Sequence, residues 1–204
     1  MKGLLLVVSG PSGVGKGTVL ERLLKRRKDC VFSTSATTRP PRPGEKDGKH
    51  YFFLNHERFE RWVEEGRFLE YNEVFDHFYG TPRDFVEQQL NEGKNVVLDI
   101  DVQGGIEVMR RAPNGVFVFL APPDLVTLRQ RLVSRGTESP EQVSKRLLTA
   151  RTELARIRQY AYTVTNHEVD GAVADLEAIL AAEACRTNRV DRFPWEEPLE
   201  EAAG

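Results

Sequence analysis

Three stretches of the chain are dense in apolar, strand-favouring residues without alternation: Leu4 to Val8, Val96 to Ile100 and Val116 to Leu120. A shorter one, "YTVTN", lies near Thr163. Runs of this kind suit strands of a parallel sheet covered on both faces. Between them the apolar positions recur at helical spacing, predicting helices from Thr18 to about Arg27, Arg83 to about Glu92 and Val102 to about Arg111. Further helices are predicted from Asp124 to about Arg135, Ser139 to about Ala161 and Asp170 to about Cys185. Strands alternating with helices imply right-handed βαβ units and an α/β layered fold. The rhythm breaks between about Ser33 and Gly80. There "TTRPPRPGEKDGKH" is a turn-rich loop, and "YFFL" and "FLEYNEVF" read as strands around a single helix, "HERFERWVEEG". An inserted lobe with its own mixed sheet is expected. The tail "RFPWEEPLEEAAG" carries two prolines and an acidic end and is expected to lie beyond the core.

Composition narrows the class. With 204 residues, 29% charged and 40% apolar, the chain suits one globular domain carrying small inserted lobes rather than a disordered or membrane protein. No run approaches the roughly 18 apolar residues of a membrane span. The apolar part of "MKGLLLVVSG" is too short for a signal peptide, so a cytoplasmic location is expected. Cys30 and Cys185 lack CxxC spacing, which argues against a disulfide framework or a structural zinc site. A net charge of −2 argues against general nucleic-acid binding, so any anion site must be local.

One such site is legible in "GPSGVGKGT". Gly10, Gly15 and Lys16 have the spacing of a phosphate-binding loop between a strand closed by Val8 and a helix opened by Thr18. Glycines let backbone N–H groups turn inward, and the helix N-terminus adds partial positive charge. Gly17 stands where the usual pattern has Ser or Thr, so the hydroxyl that often ligates Mg²⁺ is missing, and Thr18 comes one residue late to replace it. Carboxylates supply an alternative. Asp99 and Asp101 close the strand in "NVVLDIDVQGG", and open α/β folds bind ligands beyond the carboxyl ends of their strands. Two residues apart on extended chain, they share a face and could hold Mg²⁺ through water. Alternatively, Asp101 merely caps the next helix. In the lobe, Arg39 and Arg42 flank the pair Pro40-Pro41, which restricts the backbone between them, and suit a phosphate dianion; alternatively they are solvated loop charges. Tyr51 and Tyr79 could add hydroxyls, and Glu70 is a carboxylate in a strand that otherwise reads apolar, either a site residue or an exposed position of an alternating strand, which periodicity does not decide.

These segments together resemble the guanylate kinases, within the nucleoside monophosphate kinases. The resemblance runs from "LLLVVSGPSGVGKGT" through "FSTSATTRPPRPGEKDGKHYFF", "FLEYNEVFDHFYGTP" and "VVLDIDVQGG" to "FLAPPDLVTLRQRLVSRGTESPEQVSKRL". It implies a P-loop NTPase core with a parallel sheet (1–32, 84–125 and 157–190), a GMP-binding lobe (33–83), a helical lid (126–156) and a C-terminal tail (191–204). It implies transfer of the γ-phosphoryl group of ATP to GMP, giving ADP and GDP. Ser35, Arg39, Arg42, Tyr51, Glu70, Tyr79 and Thr81 match the GMP set, with Asp99 and Asp101 as the acidic pair. Gly10, Pro11, Ser12, Gly13, Val14, Gly15, Lys16, Gly17 and Thr18 match the ATP loop. Arg131, Arg135 and Arg146 match the lid arginines, and Asn166 a contact on the adenine side.

The chemistry agrees. Guanine offers N1–H and N2–H₂ as adjacent donors, and one carboxylate, Glu70, accepts from both, whereas adenine would leave it unpaired. Hydroxyls of Ser35 and Thr81 could donate to guanine O6. A phosphate acceptor, with its second pKa about 6, needs no general base, which fits the absence of a catalytic motif around His50, His56, His77 or His167. Catalysis would then rest on in-line positioning and charge neutralisation by Lys16, Arg39 and the lid arginines. Rival readings are a non-catalytic guanylate-kinase-like module, a P-loop hydrolase using water, and a kinase for another nucleoside monophosphate. Taken alone, the charge pattern around Glu138, Glu141 and Glu153 suits a solvated, salt-bridged helix pair.

Overall fold

The computed structural model describes residues 2–74, 76–133 and 140–190. Strand β1 (Leu5–Ser9) leads through the glycine loop into helix α1 (Lys16–Arg26), followed by β2 (Cys30–Phe32). After the lobe come α3 (Arg83–Asn91), β7 (Asn95–Asp99), α4 (Val102–Arg111) and β8 (Val116–Ala121). Two helices, α5 (Leu125–Val133) and α6 (Pro140–Leu154), precede β9 (Tyr162–Thr165) and α7 (Val169–Ala184). The core strands form one parallel sheet in the order β2-β7-β1-β8-β9.

The unbroken apolar runs follow from this position. Leu4, just before β1, and Leu6 and Val8 within it pack with α1 and α7, through Leu20, Leu23, Val173 and Leu176. Leu5 and Val7 point the other way, against Val86 of α3 and Val102 and Val108 of α4. A central strand buried on both faces has no polar face to write into its sequence.

The lobe contains β3 (Ala36–Thr37), β4 (Phe52–Phe53), α2 (His56–Glu64), β5 (Phe68–Val74) and β6 (His77–Pro82). Its sheet has the order β4-β3-β6-β5, with β3 and β4 parallel and the other pairs antiparallel. Phe59 of α2 stacks on Phe68 and Phe78, with ring centroids 4.5 and 5.4 Å apart. This aromatic core is separate from the two faces of the main sheet.

The structure corrects several boundaries. Helix α1 starts at Lys16 rather than Thr18, because Gly15 takes the left-handed conformation and caps it. The helix expected to reach Ala161 ends at Leu154. A short 3₁₀ turn, Ile157–Gln159, then lets Leu154, Ile157 and Tyr160 enter the core before β9. Three strands were not anticipated: β2 and β3 are too short to show a period, and β6 is hidden in "HFYGTP", where Gly80 and Pro82 read as turn residues. Arg135, Ser139 and the tail 191–204 lie outside the described residues. Among the described residues no helix is long and apolar enough to cross a membrane.

Candidate active site

The glycine loop lies at the carboxyl end of β1. Gly15 has φ 94° and ψ 23°, and a Cβ there would stand 2.8 Å from Nδ2 of Asn166. That nitrogen donates to the Val14 carbonyl at 2.8 Å, and Asn166 is almost wholly buried. Asn166, expected as a contact on the adenine side, braces the loop backbone through this bond. Its Oδ1 is buried without a hydrogen-bond partner among the described residues. Lys16 Nζ donates to the Gly10 carbonyl at 3.0 Å and lies 3.8 Å from Asp99. Above the loop is a cleft of about 350 Å³ lined by Pro11, Ser12, Gly13, Gly15 to Thr18, Glu21 and Asp99.

Helices α5 and α6 pack on this loop. Leu132 comes so near Gly13 that a Cβ there would meet its Cδ2 at 2.6 Å. Arg131 donates to the carbonyls of Val14 (3.2 Å), Asn166 (2.9 Å) and His167 (3.3 Å), and Arg146 donates to the Ser12 hydroxyl. Two of the three arginines assigned to the lid thus reach the loop, and the third, Arg135, lies outside the described residues. Glu153, seven residues beyond Arg146 on α6, shares its helical face. Burial pushes its carboxyl pKa up, against the pull of Lys16. A carboxylate expected in a solvated ion-pair network is therefore turned inward, with Oε2 buried and unpartnered among the described residues. Its seven-residue offset from Arg146 was the available sequence signal.

The acidic pair divides. Asp99 ends β7 beside Lys16, and burial raises its pKa while the Lys16 charge opposes the rise. Asp101 caps α4: Oδ1 accepts from Gly104 N at 2.7 Å and Oδ2 from Asn72 at 3.4 Å. Asp101 thus caps α4 as one of the two sequence readings has it, and because β7 ends at Asp99 the two acids do not sit together on one strand. No group of three or more His, Cys, Asp or Glu suited to a metal occurs among the described residues. Asp99 still offers one accessible carboxylate at the cleft, and a Cβ at Gly17 would lie 4.0 Å from its Oδ2. One carboxylate with water and substrate phosphates is a donor set that Mg²⁺ accepts.

In the lobe, Glu70 is buried and accepts from the Thr81 hydroxyl at 2.5 Å. Desolvation raises its pKa, the Thr81 bond opposes the rise, and the nearby Asp101 charge adds to it. Thr81 was expected to donate to guanine O6. In this arrangement the single hydroxyl proton is directed at Glu70, and a hydroxyl can rotate to another acceptor when one is presented. Arg39 is held by Glu45 at 2.9 Å and lies 5.5 Å from the Tyr51 ring centroid, and Tyr51 meets Tyr79 edge-on at 6.1 Å. Sequence reasoning does not single out Glu45; its signal is an acid six residues after Arg39, two before the loop's other acid, Asp47. Glu45 also accepts from Arg42 N at 2.7 Å, while the Arg42 side chain is exposed. Ser35 sits beside β3 and its carbonyl accepts from Phe52 N. His50 accepts from Lys46 N, His56 packs on Phe78, and none of the four histidines lines the phosphate cleft.

Comparison with known proteins supplies the family. A family model described as "Guanylate kinase" matches residues 2–183. The "Guanylate kinase" of Caldanaerobacter subterraneus subsp. tengcongensis is 51% identical over 188 residues, covering 92% of this chain and 91% of its own. That of Clostridium perfringens (strain SM101) is 48% identical over 189 residues, covering 93% and 88%. The crystal structure of guanylate kinase from Anaplasma phagocytophilum superposes with a TM-score of 0.69 at 35% identity, over 92% of this chain and 89% of that one. With the family model spanning both the glycine loop and the inserted lobe, the chain belongs to the guanylate kinase family.

Proposed function

We propose that the protein transfers the γ-phosphoryl group of ATP to GMP, giving ADP and GDP. One observation carries this reading: the buried lobe carboxylate and the phosphate cleft flank a single turn. Asp99 faces Lys16 on one side of the β7–α4 turn. On the other, Glu70 Oε2 lies 3.4 Å from where a Gly104 Cβ would sit, and Asn72 of β5 reaches Asp101. Two nucleotides bound there would meet phosphate to phosphate.

In this reading the core comprises 1–32, 84–125 and 157–190, the acceptor lobe 33–83 and the lid 126–156. Loop N–H groups and Lys16 hold the ATP phosphates. Arg39, Arg42, Tyr51 and Tyr79 hold the GMP phosphate; Arg39 exchanges its Glu45 partner or shares it. Glu70, ionised on binding, accepts from guanine N1–H and N2–H₂, and the hydroxyls of Ser35 and Thr81 are available to O6. Arg131, Arg135 and Arg146 bring positive charge from the lid, and closure excludes water that would otherwise accept the phosphoryl group. Asp99 would hold Mg²⁺ through water, with Asp101 at greater remove; when bound, the ion neutralises phosphate charge. No side chain needs to remove a proton, because the acceptor phosphate is already ionised near neutral pH. The same reading sets the enzyme in the cytoplasm, acting on small molecules rather than on nucleic acid or membrane.

The test is ADP formation from ATP and Mg²⁺ with GMP, AMP, UMP or CMP as acceptor. GMP should be preferred by orders of magnitude, up to about 10⁴ where buried polar groups read the base. ATP consumption equal with and without GMP would overturn the proposal.

A further inference from the structure

The carboxylate proposed to read guanine sits on an irregular strand. Phe68 of β5 pairs with Pro82, but Glu70 pairs with Thr81, so one extra residue, Leu69, is inserted into β5. Such a bulge re-aims the side chains around it. Here Phe68 enters the lobe core, Leu69 enters the main core beside Val86 and Val102, and Glu70 meets the Thr81 hydroxyl. A bulge breaks the ladder and leaves its backbone groups in need of other partners. The Phe68 carbonyl finds one outside the lobe: Arg111, at the end of α4, donates to it through Nη1 at 2.8 Å. Arg111 is itself aimed by Glu107, one turn earlier, at 2.8 Å. At its other end, α4 presents Gly104 to the Glu70 carboxylate. One rigid helix, about 10 Å between these two points at 1.5 Å per residue, therefore gauges the bulge and the carboxylate together.

From this geometry we infer that Arg111 is a positioning residue for acceptor-base recognition, acting through the Phe68 carbonyl and the β5 bulge on Glu70. The inference rests on the reading of Glu70 as the base-recognising group. It implies that Arg111 sets affinity and selectivity for the acceptor base while leaving the ATP side alone. The bond also crosses from core to lobe, so it ties the base-reading strand to the helix beside the phosphate cleft.

The experiment compares the parent with R111M, R111K and E70Q, measuring kcat, KM for GMP and ATP, and the ratio of kcat/KM for GMP over IMP, which lacks the N2 amine. R111M should raise KM for GMP on the order of ten-fold and shrink the GMP:IMP ratio, with kcat and KM for ATP within about two-fold of the parent. R111K, which keeps a charged donor, should recover most of the loss. A GMP KM within about two-fold of the parent in R111M overturns the inference, as does a parallel rise in KM for ATP. Should R111M lack a cooperative melt, R111Q replaces it: its shorter, neutral donor must raise KM for GMP above that of R111K, and equal values refute the role. E70Q separates the two levels. If E70Q loses GMP preference while the Arg111 variants keep it, only the Arg111 role is wrong. If E70Q retains full GMP preference, the base-reading assignment beneath it is wrong.

Discussion

Gly15→Ala tests whether the phosphate loop is held by its glycine and Asn166 rather than by the sheet alone. Two costs can be worked from the geometry. The backbone at φ 94° and ψ 23° is left-handed, and an L-residue there costs about 1–2 kcal/mol. The new Cβ would stand 2.8 Å from Asn166 Nδ2, inside contact distance of a buried amide. Moving that amide breaks its 2.8 Å bond to the Val14 carbonyl and leaves buried polar groups unsatisfied, at about 1–3 kcal/mol. Against this, Ala lowers the entropy of the unfolded chain by about 0.4–1 kcal/mol. The expected loss is about 2–4 kcal/mol in urea unfolding, with a raised KM for ATP because the loop N–H groups lose their aim. Gly17→Ala is the control. Its Cβ would lie in the first turn of α1, 4.0 Å from Asp99 Oδ2, and Ala is the better helix former by up to about 1 kcal/mol. The reasoning is refuted if Gly15→Ala and Gly17→Ala unfold at the same urea concentration.

Two further outcomes concern buried carboxylates and have opposite signs. Glu70 is raised above its ordinary 4.5 by desolvation, so its ionisation costs stability as pH rises from 4.5 through the folded value. E70Q should therefore melt above the parent at neutral pH, by about 2–4 °C per kcal/mol recovered, with the gap narrowing as pH falls toward 4.5; a lower Tm at pH 7 would contradict this. Glu183 is the reverse case. Burial alone would raise its pKa, but bonds from Tyr162 and Arg189 and the nearby Arg186 carry it below 4.5. Its contribution is complete above 4.5 and is lost as pH falls through the folded value. E183Q should cost about 1.5–3 kcal/mol at pH 7, the worth of hydrogen bonds to a charged group, and differ less from the parent in acid. Urea titrations at pH 7 and pH 4 showing the same deficit would refute the assignment.

Much of the molecule was legible from residue order because burial writes itself into local pattern. "LLLVV" names a strand covered on both faces, and that is where β1 lies. Glycine spacing before Lys16 names a loop, and its left-handed Gly15 is the reason. Asp101 reads as a helix cap from its place alone, and it is one. The long motifs in order name the family. What residue order could not decide is where a polar side chain spends its bonds, since the partner is often remote in the chain. Thr81 donates its hydroxyl hydrogen bond to Glu70, eleven residues back, and Arg111 crosses forty-three residues to the Phe68 carbonyl. Arg131 reaches Val14 across 117 residues. The split of Asp99 from Asp101 turns on β7 ending between them. The bulge that delivers Glu70 needs β6 alongside before it exists at all. Period encodes which face of an element is dry; only packing of one element on another decides which polar group meets which.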